Sequence, residues 1–366
     1  MKNKIILGLS GGVDSATAAC LLKQNQESLE AVFMKNWDED DDKDYCPAEQ
    51  DLADAREVAQ NLNIPLHTVN FASEYWDKVF SHFLNEYKAG RTPNPDILCN
   101  SEIKFKVFLD YAIDKFTDTN HKQTIKIATG HYARIREQDG QFYLLKGLDK
   151  NKDQSYFLHA LNQNQLAHAL FPLGELNKQE VREIAKSKQL SVFNKKDSTG
   201  ICFIGERNFN EFLSRFLSTT KGDMVTPEGE VIAQHNGLMY YTIGQRKGLG
   251  IGGSKTSTGE PWFVANKDIE NNRLIVVQGK DHPLLYQSEL IASQIHWIND
   301  PIPAYPFSCQ AKTRYRQPDQ SCEINSINDD GFIKVTFSTA QFGITPGQSI
   351  VFYQDDICLG GGIIEK

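Results

Sequence analysis

Lys4-Ile5-Ile6-Leu7-Gly8-Leu9-Ser10-Gly11-Gly12-Val13-Asp14-Ser15 decides the reading of this chain. Lys4 to Leu9 is an apolar run of strand length, and it enters a Ser-Gly-Gly turn directly. Asp14 to Gln24 then reads as a helix. Two glycines let the backbone approach a ligand closely, and Ser10 and Ser15 add hydroxyl donors. The start of the helix adds backbone amides and a partial positive charge. Together these make a cradle for an anion. The pattern is neither Gly-Lys-Ser/Thr of the Walker type nor G-x-G-x-x-G. A plain Gly-Gly turn, with Asp14 and Ser15 capping the helix, is the alternative. It fits less well with a position immediately after the first apolar strand.

Working outward, strands and helices alternate. Leu29 to Met34 reads as a strand, Pro47 to Leu62 as a helix, and Leu66 to Asn70 as a strand. Ser73 to Lys88 places Trp76, Val79, Phe80, Phe83 and Leu84 at helical spacing. Ser101 to Phe116 reads as helix and Ile125 to Ala128 as strand. This alternation predicts a parallel sheet covered by helices, with the ligand beyond the carboxyl ends of its strands. Tyr132 to Lys146 reads as a hairpin turning at Asp139-Gly140. Gln163 to Gln189 reads as helical, and from about Lys221 strands and turns dominate. The expected fold is α/β: an N-terminal Rossmann-like parallel-sheet domain, a small mixed central domain and a C-terminal β-barrel. The boundaries are placed at 1–205, 206–280 and 281–366.

The 366 residues are 40% hydrophobic and 23% charged, which suits two or three globular domains. No apolar run is long enough to cross a bilayer, and no signal region precedes Ile5, so a cytoplasmic protein without membrane association is expected. The net charge of −8 runs against nucleic-acid binding. A local basic patch can still steer a polyanion, and part of the acidity sits in the run Asp38 to Asp42, read as a solvated loop.

The seven cysteines are Cys20, Cys46, Cys99, Cys202, Cys309, Cys322 and Cys358, with no C-x-x-C pair. That argues against a secreted disulfide framework and against a zinc ribbon or iron–sulfur site, and no metal-ligating cluster is expected. Two cysteines stand in marked surroundings. Cys99 closes Asn94-Pro95-Asp96-Ile97-Leu98-Cys99, read as a proline-rich loop just ahead of the helix at Ser101. There the helix dipole favours a thiolate, and Asp96 is placed to exchange protons. Cys202 sits in Asp197-Ser198-Thr199-Gly200-Ile201-Cys202, near Lys195 and Lys196, which favour a thiolate too. For either cysteine alone, an inert buried thiol is the simpler reading. The other five are read as structural.

S-G-G-x-D-S resembles the pyrophosphate loop of the N-type ATP pyrophosphatases, which split ATP into AMP and pyrophosphate while adenylating an oxygen. The resemblance implies nucleotide contacts at Gly8, Leu9, Ser10, Gly11, Gly12, Val13, Asp14 and Ser15. It also implies Met34 beside adenine, and Gly130 at the end of a neighbouring strand. Over the whole chain the sequence resembles the bacterial tRNA-specific 2-thiouridylases. The likeness runs through Met34-Lys35-Asn36-Trp37, Gly90 to Asn100, Lys152 to Phe157 and Asp197 to Gly205. It continues through Gly244 to Gly250, Lys312 to Arg316 and Thr345 to Ser349.

The resemblance implies ATP with Mg2+, and a tRNA for lysine, glutamate or glutamine whose wobble uridine exchanges its 2-oxygen for sulfur. The sulfur arrives as a persulfide on Cys202, from a relay protein fed by a cysteine desulfurase. Cys99 is the partner nucleophile, a Cys99–Cys202 disulfide is left behind, and Asp96 is catalytic. Asn94, Pro95 and Asp96 meet the target base. His131, Lys152, Asp153, Gln154, Arg314, Tyr315 and Gln348 meet tRNA. Arg314-Tyr315-Arg316 reads by itself as a basic-aromatic site or, equally, as a barrel strand with outward charges. The basic glycine-rich run Gln245 to Gly253 is a further place for RNA. Rival readings are a small-molecule adenylating ligase (argininosuccinate, GMP or NAD synthetase), a tRNA lysidine synthase, and a non-catalytic RNA-binding protein. The first two need no paired cysteines. The third needs no pyrophosphate release.

Overall fold

The computed structural model describes residues 3–25, 28–38, 47–117, 124–197, 209–252, 259–326 and 331–366. Cys202, Cys46 and the acidic positions after Asp38 lie outside them.

The N-terminal unit is built on β1 (Lys4–Gly8), β2 (Ser28–Lys35), β3 (Leu66–Asn70) and β4 (Ile125–Ala128). Ile6 packs into one core cluster while Ile5 and Leu7 pack into another. A strand points successive side chains to opposite faces, so β1 is buried on both sides, as a parallel sheet requires. The hairpin β5 (Ala133–Gln138) and β6 (Gln141–Lys146) turns at Asp139 and Gly140, with φ of 53° and 76°. β7 (Ala169–Leu170) completes the first sheet in the order β3-β2-β1-β4-β7, every pair parallel. Helices cover both faces.

β7 corrects the continuous helix expected over Gln163 to Gln189. The chain forms a helix at Gln163–His168, the strand β7, turns through Pro172 and Gly174, and a second helix at Lys178–Ser187. Pro172 and Gly174 break the helix, and Asn162 and Asn177 each start one through a capping box.

The central unit holds β8 (Gly222–Val225), β9 (Val231–His235), β10 (Trp262–Asp268) and β11 (Arg273–Gln278), ordered β10-β11-β8-β9. It closes over Met224, Val264, Leu274 and Val276. The C-terminal unit holds β12 (Tyr286–Trp297), β13 (Phe307–Lys312), β14 (Gln320–Ser326), β15 (Ile333–Phe342), β16 (Ser349–Gln354) and β17 (Ile357–Ile364). Pairing of β12 with β17 closes the antiparallel barrel. β6 then adds to β17 through Leu145↔Ile357 and Leu144↔Cys358, which ties the first unit to the barrel. Cys309 and Cys322 face each other across β13 and β14 with sulfurs 3.7 Å apart. No helix among the described residues is long and apolar enough to cross a membrane.

An aromatic cluster fixes the helical run over 72–88. Phe80 is fully buried, with ring centroids of Trp37, Trp76, Phe83, Phe212 and Phe216 within 6 Å. Phe80→Ala leaves a large void among rings from three segments. It should cost about 3–5 kcal/mol of unfolding free energy, read by urea titration. A cost below about 1 kcal/mol would mean the cluster is loosely packed.

Candidate active site

The phosphate loop follows β1. Leu9 N donates to Val32 O at 3.0 Å, holding the strand end to β2. Ser10 N donates to Ser15 Oγ at 3.2 Å, the two hydroxyls lie 3.2 Å apart, and Ser15 Oγ donates to Gly12 O. The helix Val13–Gln24 starts at Gly12, and no side chain caps it. Asp14 and Ser15 therefore do not cap the helix, and its first turn presents amides to the space above the sheet. Gly11 has φ of 75°, and a Cβ there would lie 2.2 Å from Asp51 O, so only glycine fits.

Gly130, two residues beyond β4, lies against this loop. A Cβ on it would be 2.8 Å from Ser15 N and 2.9 Å from the Asp14 carbonyl carbon. Met34 stands near the end of β2, its methyl 3.1 Å from the Cβ position of Gly8. Gly8, the loop, Met34 and Gly130 are thus gathered at the carboxyl edge of β1, β2 and β4, where a sheet of this kind receives a ligand.

The second group lies on one helix. Asn94 Oδ1 accepts from Asp96 N, and Pro95 takes the first helical position, so the helix starts at Pro95. Both residue types favour that place. Cys99 lies inside this helix, with its amide donating to Pro95 O and Asp96 O. This corrects the loop expected ahead of Ser101, and it removes the argument from the helix dipole, which fades beyond the first turn. At Cys99 the helix widens into a π segment, Cys99–Val107. Such segments often mark functional sites. Cys99 is completely buried.

Burial raises the pKa of Asp96, and the charge of Lys104 partly offsets it. Lys104 Nζ also donates to Asn100 Oδ1 at 3.0 Å. His131 is buried, with Nδ1 2.7 Å from Thr129 Oγ1. Burial and then the Lys104 charge hold its pKa well below the ordinary value, so the imidazole is neutral. Lys104 is the cation of this group, and sequence reasoning missed it. Its one signal is its place a helical turn after Asn100.

The other expected RNA contacts form a belt between the first unit and the barrel. Gln348 Nε2 donates to Thr92 O, and Thr92 N donates to Pro346 O, so the Thr345 to Ser349 loop braces the segment leading to Asn94. Tyr315 packs on Phe157 at 4.4 Å, and Asn100 Nδ2 donates to Phe157 O. Gln154 Oε1 accepts from Tyr132 N. Two members are held inward. Asp153 is 5% exposed, and its carboxylate accepts from Gly147 N, Ser155 N and Ser155 Oγ. Arg314 Nη2 donates to Ile243 O and Gly343 O, which links barrel to central unit. Arg246 and Lys247 of the glycine-rich run are exposed.

Lys152 pairs with Asp197, the described residue that leads toward Cys202. Lys178 and Arg182 also pair with Asp197. Burial would raise the Asp197 carboxyl, but Lys152 and Lys178 outweigh it and bring its pKa down to about 2. Among the described residues no group of three His, Cys, Asp or Glu could hold a metal ion. The uncapped helix start and the close approach of Gly130 suit a polyphosphate.

Residues 3–206 match a family described as the tRNA methyl transferase HUP domain. Residues 210–278 match the tRNA methyl transferase PRC-barrel domain, and 287–364 the aminomethyltransferase beta-barrel domain. Full-length relatives include proteins named tRNA-specific 2-thiouridylase MnmA. That of Psychromonas ingrahamii is 58% identical over 363 residues, 99% of this chain and 97% of the relative. That of Francisella tularensis subsp. novicida is 58% identical over 366 residues, all of both chains. That of Methylobacillus flagellatus is 58% identical over 364 residues, 100% of this chain and 99% of the relative.

Proposed function

The chain belongs to the tRNA-specific 2-thiouridylase family, and from that premise we propose that it thiolates the wobble uridine of the lysine, glutamate and glutamine tRNAs in the cytoplasm. ATP, with Mg2+ on its phosphates, binds at residues 8 to 15, with Met34 and Gly130 beside the nucleotide. The uracil 2-oxygen attacks the α-phosphorus, and pyrophosphate leaves. The 2-oxygen then departs as part of AMP, a far better leaving group than the bare oxygen.

Sulfur reaches Cys202 as a persulfide, from a relay protein fed by a cysteine desulfurase. The Cys99 thiolate attacks the inner sulfur, and the persulfide S–S bond breaks. The outer sulfur leaves with the electron pair and adds to carbon 2, directly or as free sulfide. A Cys99–Cys202 disulfide remains, and a thiol reductant returns two electrons to reset it. Residues 1–205 carry this chemistry, 206–280 form the central unit, and 281–366 bring tRNA contacts. Asn94, Pro95 and Asp96 take the flipped base, while His131, Lys152, Asp153, Gln154, Arg314, Tyr315 and Gln348 contact the RNA around it. The inward hydrogen bonds of Asp153 and Arg314 give those two a bracing part in that surface.

The observation that carries the reading is the uncapped helix start at Gly12, with Gly130 against it, on a chain whose buried Cys99 shares a helix with Asp96. Pyrophosphate release that rises on adding tRNA supports adenylation of the RNA. Release that ignores tRNA and rises with a small carboxylate would move the chain to the ligases.

Asp96 carries a further expectation. Its carboxyl titrates above the ordinary value because burial disfavours the charged form. If its carboxylate takes the proton, turnover falls as pH drops through that raised pKa, and is full above it. Asp96→Asn should slow turnover about 100-fold and flatten the acidic limb while tRNA affinity holds. An unchanged limb would take Asp96 out of the proton transfer.

A further inference from the structure

The phosphate loop Ser10 to Ser15 contains no cation. Phosphate loops of the Walker type carry a lysine that reaches the β- and γ-phosphates. Here a lysine arrives from 164 positions away. Lys178 is the first residue of the Lys178–Ser187 helix, and its side chain is 14% exposed. Its Nζ lies 2.7 and 2.8 Å from the two carboxylate oxygens of Asp14, inside the loop, and 2.7 Å from Asp197 Oδ1. Tyr132 OH donates to Asp14 Oδ1 at 2.7 Å. Arg182, one turn on, donates to Asp197 Oδ1 at 3.0 Å and to Phe193 O and Lys195 O. Asp197 has Arg182 and Lys152 as further partners and Asp14 has Tyr132 OH, so each carboxylate keeps a donor when Lys178 turns to phosphate. Lys195 is held elsewhere, on Gly11 O, Asp51 and Asp54.

We propose that Lys178 is the polyphosphate cation of this enzyme, binding the β- and γ-phosphates of ATP and then the departing pyrophosphate. The proposal rests on the ATP reading above. Uncapped amides supply partial charges on one side of the anion. Lys178 supplies a full charge on the other and neutralises the charge that builds on the leaving group. It exchanges Asp14 and Asp197 for phosphate oxygens as the ligand enters.

The test is equilibrium binding by calorimetry, with three probes: inorganic pyrophosphate, α,β-methylene-ATP and AMP. Lys178→Met should weaken the first two by about 10- to 100-fold, the size of a lost charged hydrogen bond. AMP, which has no β-phosphate, should change by less than about threefold. Lys178→Arg should restore most pyrophosphate affinity. Asp197→Asn, which removes a competitor for the ammonium, should leave pyrophosphate binding equal or tighter. A lysine that merely braces the loop predicts a different pattern. All three probes would weaken together in Lys178→Met, and Asp197→Asn would weaken pyrophosphate. Either of those, or unchanged pyrophosphate affinity in Lys178→Met, overturns the proposal. Should the Met variant not fold, the Arg and Asn variants decide it. Wild-type protein that binds none of the three probes would instead overturn the nucleotide reading.

Discussion

Cys99→Ser brings thiolated product down at least about a thousandfold while tRNA-dependent pyrophosphate release continues. In the proposed transfer Cys99 forms a sulfur–sulfur bond, and a serine oxygen has no equivalent. Serine differs from cysteine by one atom, so the helix Pro95–Leu98 and the π segment after it keep their course. The cost is a hydroxyl in an apolar place. Cys99 belongs to a core cluster with Ile97, Ile103 and Phe105, and a buried hydroxyl there destabilises by about 1–3 kcal/mol. Cys99→Ala removes that cost and should give the same loss of product. The proposed adenylation draws on the phosphate loop and the target base, neither of which contains the sulfur. Nucleoside analysis reads the product, and a pyrophosphate assay reads the first step. Full thiolation by Cys99→Ser would take Cys99 out of the sulfur transfer. Loss of both readouts in a folded protein would place Cys99 in base binding instead.

Gly130→Ala is the second large effect, and it acts on the first step. The added Cβ would stand 2.8 Å from Ser15 N, 2.9 Å from the Asp14 carbonyl carbon and 3.1 Å from Asp14 Cβ. Two of the three are loop backbone, which no side-chain rotation can move aside. Either the loop or the end of β4 must shift by several tenths of an ångström. A displacement of that order at a site that aligns a phosphate with an attacking oxygen costs about 100-fold in the adenylation rate. ATP affinity should fall as well, because the amides of the first helical turn move with Ser15. The strain on folding is smaller, about 1–3 kcal/mol, because the β1–β4 ladder lies before Gly130. Measured ATP affinity and pyrophosphate release check it. Wild-type values for both would mean the loop adjusts freely, and that its close contact with Gly130 is not needed.

The parts legible in the sequence are those whose signals are local. Lys4 to Ser15 declares strand, turn and helix start within twelve positions. The strand Ile125 to Ala128 and the aromatic stripe from Trp76 to Leu84 follow from two- and four-residue periods. Cys99 was misplaced because Pro93 and Pro95 read as a loop, whereas Asn94 caps and Pro95 opens a helix. Gln163 to Gln189 reads as one helix by its pattern, while Pro172 and Gly174 divide it in the fold.

Long-range partners were not legible at all. The bond from Lys178 to Asp14, the addition of β6 to the barrel at β17, and the brace from Gln348 to Thr92 each join positions more than 150 apart. No local pattern encodes them. The net charge of −8 is a sum over the whole chain and says nothing about a local patch. Asp14, Asp51, Asp54 and Asp197 are paired with Lys178, Lys195 and Arg182, and such pairs leave the net charge unchanged while setting where the local charge lies.

Sulfur transfer to an RNA base is the outcome on which the proposed chemistry stands. Mass spectrometry of tRNA nucleosides after incubation with the protein, ATP, Mg2+ and a persulfide donor tests it most directly. The expected result is a mass gain matching oxygen-to-sulfur exchange at the wobble uridine, dependent on ATP and absent with Cys202→Ser. Pyrophosphate release stimulated by tRNA with no sulfur gained, in folded wild-type protein under a saturating donor, would contradict it.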